Sequence, residues 1–243
     1  MILLKDVHKS FLSRSVLNGV NLEIPIGKIT IILGSSGEGK SVLLKHIIGL
    51  LLPDRGKVIV EGTDLSQLAD RDLNNFRKQF GMLFQSTALF DSLTVEENVA
   101  FPLREHTKLS SSEIQKKVHE KLALVGLEIE LNKKPAELSG GMRKRVGLAR
   151  AIALEPRIVL YDEPTTGLDP LMTDAINRLI LETQKNLRIT SVIISHDIES
   201  TFELADFVAI LHQGQICAEG SPAAVQKSTH PFVKEFLSKR RMA

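Results

Sequence analysis

The chain has a single cysteine, Cys217, and no apolar run that approaches the roughly 20 residues needed to cross a bilayer. One cysteine excludes an internal disulfide framework and a cysteine-based zinc ribbon, and it suits a reducing compartment. The nearest thing to a membrane span, Ile47 to Leu52, is stopped by Pro53-Asp54. The opening Met1-Ile2-Leu3-Leu4-Lys5-Asp6 lacks the long apolar core and cleavage site of a secretion signal. These absences point to a cytoplasmic chain whose work at a membrane, if any, is done through a partner. A dominant charge is missing too: 31 Lys and Arg against 29 Asp and Glu leave a net charge of +2, so electrostatics make no case for a nucleic-acid partner. There is no internal repeat and no low-complexity segment. The short basic run Lys239-Arg240-Arg241 reads as a solvated terminus rather than a lipid-headgroup contact.

What remains is an ordinary globular composition, 43% hydrophobic and 25% charged over 243 residues, enough for one large core or two modest lobes. Residues 1 to about 27 read as short strands, with turns at Asn18-Gly19 and Pro25-Ile26-Gly27. Lys28 to Leu33 is a continuous β-branched run of the kind found in buried central strands. Gly34 to Gly39 breaks it, and a helix is predicted from about Lys40 to Leu50. Val58-Ile59-Val60 before Gly62 reads as another strand. The stretch from about 87 to 150 reads as mostly helical, with a capping box at Ser110 and Glu113 and an apolar face of Ile114, Val118, Leu122 and Val125. Two more buried strands, Ile158 to Tyr161 and Ser191 to Ile194, end at Asp162-Glu163 and Ser195-His196. Polar residues at the carboxyl ends of apolar strands lie where open α/β sheets bind ligands.

The chemistry concentrates in a few places. Gly34-Ser35-Ser36-Gly37-Glu38-Gly39-Lys40-Ser41 matches the phosphate-loop pattern G-x-x-x-x-G-K-[ST] in full. Glycines let such a loop curl until successive backbone N–H groups converge on phosphate oxygens, and the helix behind adds its dipole. Lys40 is expected on the β- and γ-phosphates and the Ser41 hydroxyl on Mg²⁺. Asp162 is expected to hold the metal, directly or through water, with Glu163 as the general base that polarises the attacking water; an acidic N-cap or a surface pair after a strand is the alternative. Gln85, after another apolar run, has an amide able to touch the metal or the water, although alone it reads better as an exposed glutamine and gains weight only from the order of the other motifs. His196 is placed to bridge γ-phosphate and water, or else is a structural hydrogen-bonder. The other six histidines show no metal-ligand spacing. Phe11 offers a ring face for adenine, or packs as a core aromatic of the first sheet. Leu138-Ser139-Gly140-Gly141-Met142 opens a second helix with Ser139 as N-cap. It is either an ordinary capped helix or a second phosphate-facing terminus, free to close on another subunit's nucleotide. The adjoining Arg143, Lys144 and Arg145 read as a solvated face.

Taken together, these residues resemble the ATP-binding subunits of ABC transporters over essentially the whole chain. In that resemblance Gly34 to Ser41 is Walker A, Gln85 the Q-loop glutamine and Leu138 to Met142 the signature. Ile158 to Asp162 with Glu163 is Walker B, Gly167-Leu168-Asp169 the D-loop and His196 the switch histidine. It implies an α/β fold: a RecA-like P-loop NTPase core with an antiparallel β subdomain (1–86 and 151–243) and a helical signature subdomain (87–150), all one ATPase domain. It also implies hydrolysis of ATP with Mg²⁺, and a head-to-tail dimer with ATP between Walker A of one copy and the signature of the other. The segments Met82 to Ser86, Ala88-Leu89-Phe90 and Asn98 to Thr107, with Met142 and the basic triplet after the signature glycines, are similar to the ATPase subunits of Mla/Mce-type phospholipid transporters. That similarity implies integral-membrane permease subunits, an MCE-domain lipid-binding protein, a small STAS-domain protein as an optional partner, and a place on the cytoplasmic face of the inner membrane. An ABC transporter for another substrate is the alternative. The sequence departs from the pattern in offering Phe11 where the adenine-stacking residue is usually tyrosine, and in ending at Ala243 without a dimer-clasping extension. A soluble ABC ATPase acting on DNA or ribosomes would carry a coiled-coil insertion, zinc cysteines or a second ATPase module. A non-hydrolysing regulator would lack Glu163 or His196.

Overall fold

Alternating apolar residues at Ile2, Leu4 and Val7, and at Leu17, Val20, Leu22 and Ile24, bury one face of a long antiparallel hairpin, β1 (Ile2–Phe11) and β2 (Arg14–Ile24). These strands are longer than the turn signals predict. Asn18-Gly19 is not a turn: pairing runs from Val7↔Val20 to His8↔Asn18, so a bulge absorbs Gly19 at φ 75° and β2 continues. The chain reverses instead at Leu12-Ser13, where Leu12 takes φ 54° and is fully exposed. The computed structural model describes residues 1–238, so the basic run at 239–241 lies outside the described residues.

β3 (Ile29–Leu33) is buried along its whole length, as its β-branched run predicts. The helix that follows the phosphate loop, α1 (Lys40–Ile47), stops before Leu50, because Gly49 at φ 73° turns the chain and the Leu50 N–H donates back to the Lys45 carbonyl at 2.8 Å. β4 (Arg55–Val60), β5 (Thr63–Asp64) and α2 (Asp70–Arg77) complete this first stretch. The strands form an antiparallel sheet of order β2-β1-β4-β5.

The chain then leaves this compact unit, Met1–Arg77 with the segment from Thr190 on, for a second one, Lys78–Ile189. Its elements are β6 (Phe80–Leu83), α3 (Val95–His106), α4 (Ser111–Leu124), α5 (Gly140–Ala151), β7 (Ile158–Asp162) and α6 (Pro170–Leu187). β6 and β7 pair in parallel from Phe80↔Ile158 to Leu83↔Tyr161. The capping box expected at Ser110 and Glu113 starts α4, and Thr94 and Glu97 form another at α3. Each contributes about 1 kcal/mol to helix stability. Buried Asn98 holds the segment ahead of α3: its side chain accepts from the Phe90 N–H and donates to the carbonyls of Phe90, Leu93 and Thr94.

The rest of the first unit is β8 (Thr190–Ser195), α7 (Ile198–Leu204), β9 (Phe207–His212), β10 (Gln215–Gly220), α8 (Pro222–Gln226) and α9 (Pro231–Ser238). β8 and β9 flank β3 on its two sides, both parallel to it, and β10 runs antiparallel on β9. β3 is thus the central strand of this layer, and its carboxyl end delivers the phosphate loop. Among the described residues no helix is long and apolar enough to cross a membrane.

Candidate nucleotide site

The loop after β3 is shaped by what its glycines permit. A Cβ on Gly34 would sit 2.5 Å from the Leu211 carbonyl oxygen, and one on Gly39 would meet Val16 at 2.9 Å, so neither position accepts a side chain without moving its neighbours. Gly37 (φ 83°) and Gly39 (φ 98°) both take the left-handed region. Lys40 folds back under the loop, 5% exposed, and donates to the carbonyls of Gly34 at 2.8 Å and Ser35 at 3.0 Å. Ser35, Ser36 and Gly37 are exposed and Ser41 is half-buried in the first turn of α1. That turn carries no acidic residue to cancel the helix dipole, which fits a loop built for phosphate.

Glu38 is the surprise in this loop. Its carboxylate turns to the β9–β10 turn, where it accepts from the Gln213 N–H and pairs with His212 Nδ1 at 3.1 Å. His212 stacks on Phe232 of α9, ring centroids 3.5 Å apart. The Glu38 side chain therefore braces the loop, while its backbone N–H donates to the Ser35 carbonyl at 3.4 Å. Phe11, at the tip of the β1–β2 hairpin, is 42% exposed, with Lys9 Nζ 5.8 Å from its ring centre. It is not a core aromatic, and its ring is available to stack. His196 follows β8 and is exposed, while its neighbour Asp197 caps α7 by accepting from the Glu199 and Ser200 N–H groups.

The second unit holds the remaining candidates. Asp162 ends β7, half-buried, and Glu163 follows at φ 48°. A left-handed glutamate costs about 1 kcal/mol or more, and such strain clusters at working sites. The Glu163 carboxylate accepts from the Thr166 hydroxyl at 2.7 Å. Gln85 is exposed in the loop after β6. Ser139 caps α5 by accepting from the Met142 N–H at 3.2 Å. The signature glycines also serve packing: a Cβ on Gly141 would lie 3.0 Å from Met172 Sδ, and one on Gly140 3.4 Å from Leu168. Asp169 caps α6, accepting from the Met172 N–H at 2.9 Å, with Pro170 in the first helical position.

The basic triplet after the signature is not a solvated face. Arg143 donates to the Leu138 carbonyl at 2.7 Å and Arg145 to the Val125 carbonyl at 3.1 Å. Lys144 is 5% exposed and donates to the Gln85 carbonyl at 2.6 Å. The signal that could have revealed it is the pair of glycines, Gly141 and Gly147, three residues to either side on the same helical face. Glycines so placed mean close packing, and a lysine between them must be buried.

The side chains expected at the metal all offer hard oxygen: in the first unit the Ser41 hydroxyl, and in the second the Asp162 carboxylate and the Gln85 amide. Among the described residues no three His, Cys, Asp or Glu side chains gather as a metal cage. That chemistry suits Mg²⁺, which takes few protein ligands and shares phosphate oxygens and water.

A family model described as "ABC transporter" matches residues 17–166, well over half of the chain. The chain belongs to the ABC transporter family. Among its ABC-family relatives, the probable ribonucleotide transport ATP-binding protein mkl of Mycobacterium tuberculosis is 45% identical over 234 residues, 96% of this chain and 65% of that protein. The chain thus spans just under two thirds of that mycobacterial relative. The intermembrane phospholipid transport system ATP-binding protein MlaF of Escherichia coli K12 is 42% identical over 96% of this chain and 87% of its own length. Among solved structures, the dimeric bacterial ABC transporter cassette MJ0796 superposes with a TM-score of 0.84 at 34% identity, covering 91% of this chain and 99% of the cassette. The cbiO1 protein of Clostridium perfringens, part of an ABC transporter complex, gives 0.86 at 31% identity over 99% and 96%. The α/β P-loop architecture expected from the sequence is therefore the ABC cassette fold.

Proposed function

We propose that this chain is the ATP-binding and hydrolysing subunit of an ABC transporter that moves phospholipid. It works as a head-to-tail dimer bound to permease subunits at the cytoplasmic face of the inner membrane, with an MCE-domain lipid carrier, and optionally a STAS-domain protein, completing the machine. The observation that carries the reading is the pair of phosphate-ready helix starts. One is the glycine loop into α1 with Lys40 beneath it; the other is the Ser139-capped start of α5. In a head-to-tail dimer the second closes on the nucleotide of the other copy, so ATP itself becomes the dimer's glue.

Each residue then has a distinct role. Backbone N–H groups from Gly34 to Ser41 cradle the phosphates and Lys40 neutralises them. Phe11 stacks on adenine. Ser41, Asp162 and Gln85 would hold Mg²⁺, which supplies charge neutralisation for the phosphoryl group. Glu163 accepts a proton from the attacking water, His196 orients that water against the γ-phosphate, and Asp169 contributes from the D-loop across the dimer. Residues 87–150 act as the signature lobe. Its exposed Phe90 and Phe101, ring centroids 4.6 Å apart, and Phe84 before Gln85 offer an apolar landing for a permease helix.

The phospholipid assignment leans on the likeness to MlaF. The likeness to mkl, named for ribonucleotide transport, keeps a second cargo in view. Purifying the chain with its native membrane partners separates the two. Co-purification of a permease and an MCE-domain protein, with ATP-dependent movement of labelled phospholipid between vesicles, is the expected result. A partner that binds a small polar solute instead would overturn the lipid reading.

A further inference from the structure

The buried lysine of the signature helix does something more specific than packing. Lys144 Nζ donates to the Gln85 carbonyl at 2.6 Å and reaches the Glu163 carbonyl at 3.4 Å. These carbonyls belong to two different segments, the loop after β6 and the turn after β7. Each is the backbone of a residue with a proposed role at the nucleotide. Burial lowers the pKa of the Lys144 ammonium, and the carboxylates of Asp162 and Glu163 oppose that shift.

The same face of α5 grips the glutamine loop further along. Six residues on, Arg150 donates to the carbonyls of Ala88 at 2.7 Å and Thr87 at 2.6 Å, and its guanidinium lies 5.9 Å from the Phe90 ring centre. Thr87 and Ala88 both hold positive φ, 65° and 47°, so their carbonyls point where ordinary backbone would not send them. Between the two cations, Gly147 leaves the room: a Cβ there would lie 2.7 Å from Leu83 Cδ1 and 3.5 Å from the Thr87 Cβ. Lys144, Gly147 and Arg150 thus form a strip along α5 on which the loop from Leu83 to Ala88 is held by its main chain.

α5 is also the helix whose first turn is Ser139-Gly140-Gly141. We propose that Lys144 is a positioning residue that fixes the backbones of Gln85 and Glu163 to the signature helix, so that displacement at the Ser139 end is transmitted to both. This rests on the reading that Glu163 and Gln85 serve ATP hydrolysis. An ammonium is well suited to such a clamp, because its several donors reach two carbonyls at once and main-chain acceptors move whole segments rather than one side chain. Displacements of about 1 Å at a reacting group can cost on the order of a hundredfold in rate, so the effect belongs in turnover rather than in nucleotide binding.

The test is Lys144→Met beside Lys144→Arg in the purified chain. The readouts are kcat and KM for ATP hydrolysis, ATP binding by titration, and Tm. The expected result is a loss of about tenfold or more in kcat for the methionine variant, with KM and ATP affinity within about twofold of wild type. Arginine, which keeps a charged donor, restores kcat to within about threefold. Unchanged kcat in a folded methionine variant overturns the proposal. So does an arginine variant as slow as methionine at wild-type Tm. Should the methionine variant fail to fold, Lys144→Gln carries the same comparison. A wild-type chain that hydrolyses no ATP would instead overturn the functional reading itself, and this proposal with it.

Discussion

The Thr166 hydroxyl donates to the Glu163 carboxylate at 2.7 Å, across a turn in which Glu163 holds φ 48°. The contact fixes the direction of the carboxylate without neutralising it, since a hydroxyl donates a hydrogen bond and no charge. A proposed base that must meet water in one orientation gains from such a tether. Thr166→Val keeps the shape and removes the donor. It is expected to lower kcat about tenfold to a hundredfold, the worth of one hydrogen bond to a charged group, while leaving ATP affinity unchanged. Steady-state hydrolysis with a parallel binding titration checks it, and a higher KM at unchanged kcat would place Thr166 elsewhere.

Ser139 and Gly141 have local roles as well as the proposed one, so the substitution must separate them. Ser139→Arg removes the cap of α5 and puts a bulky cation where the other copy's phosphates would approach. The cap alone is worth about 1 kcal/mol, too little to unfold the second unit. The expected outcome is abolished turnover with single-copy ATP binding largely intact, read by nucleotide titration at low protein concentration. Lost binding would argue that the signature does not act across a dimer.

Stability in acid should depend on Glu155. Its carboxylate accepts from Lys121, a buried side chain, at 2.9 Å and from Lys117 at 3.0 Å, and these contacts hold its pKa below the ordinary value of 4.5. A depressed carboxylate pKa means the folded state prefers the ionised form. The contribution is therefore present above the ordinary glutamate value and is lost as pH falls through the lower folded value. The carboxylate is half exposed, so the effect at neutral pH is about 1 kcal/mol or less. Thermal melts from pH 7 down to pH 3 should show Glu155→Gln with a lower Tm at pH 7 and a gap to wild type that closes in acid. A gap constant over that range would mean that the two ion pairs do not set the acid stability.

The parts of this molecule that were legible in the sequence are those whose chemistry is local. A phosphate loop needs its glycines and lysine within eight consecutive residues, and β3 needs five buried β-branched or leucine side chains in a row, so both are written where they act. Ser110 and Glu113 announce α4 for the same reason. The misreadings arise where a distant partner decides. Asn18-Gly19 has the composition of a turn, but pairing with Val7 and His8 makes it a bulge inside β2. Lys144 has the composition of a surface residue, but carbonyls 59 and 19 residues away make it buried. Glu38 lies inside a phosphate pattern, yet its carboxylate answers to His212 and Gln213, 174 and 175 residues on. Helical periodicity records how apolar a face is, and it cannot register a cation buried to hold main-chain carbonyls.

Everything proposed for the site depends on Glu163 driving hydrolysis in a nucleotide-bridged dimer. The decisive measurement is on Glu163→Gln in the purified chain, with Mg²⁺ and ATP, by size-exclusion chromatography with light scattering beside a phosphate-release assay. The expected result is retained ATP binding, turnover reduced at least a hundredfold, and an ATP-dependent dimer that wild type forms only transiently. A variant that hydrolyses ATP at the wild-type rate, or that binds ATP and stays monomeric at every protein concentration, would contradict it.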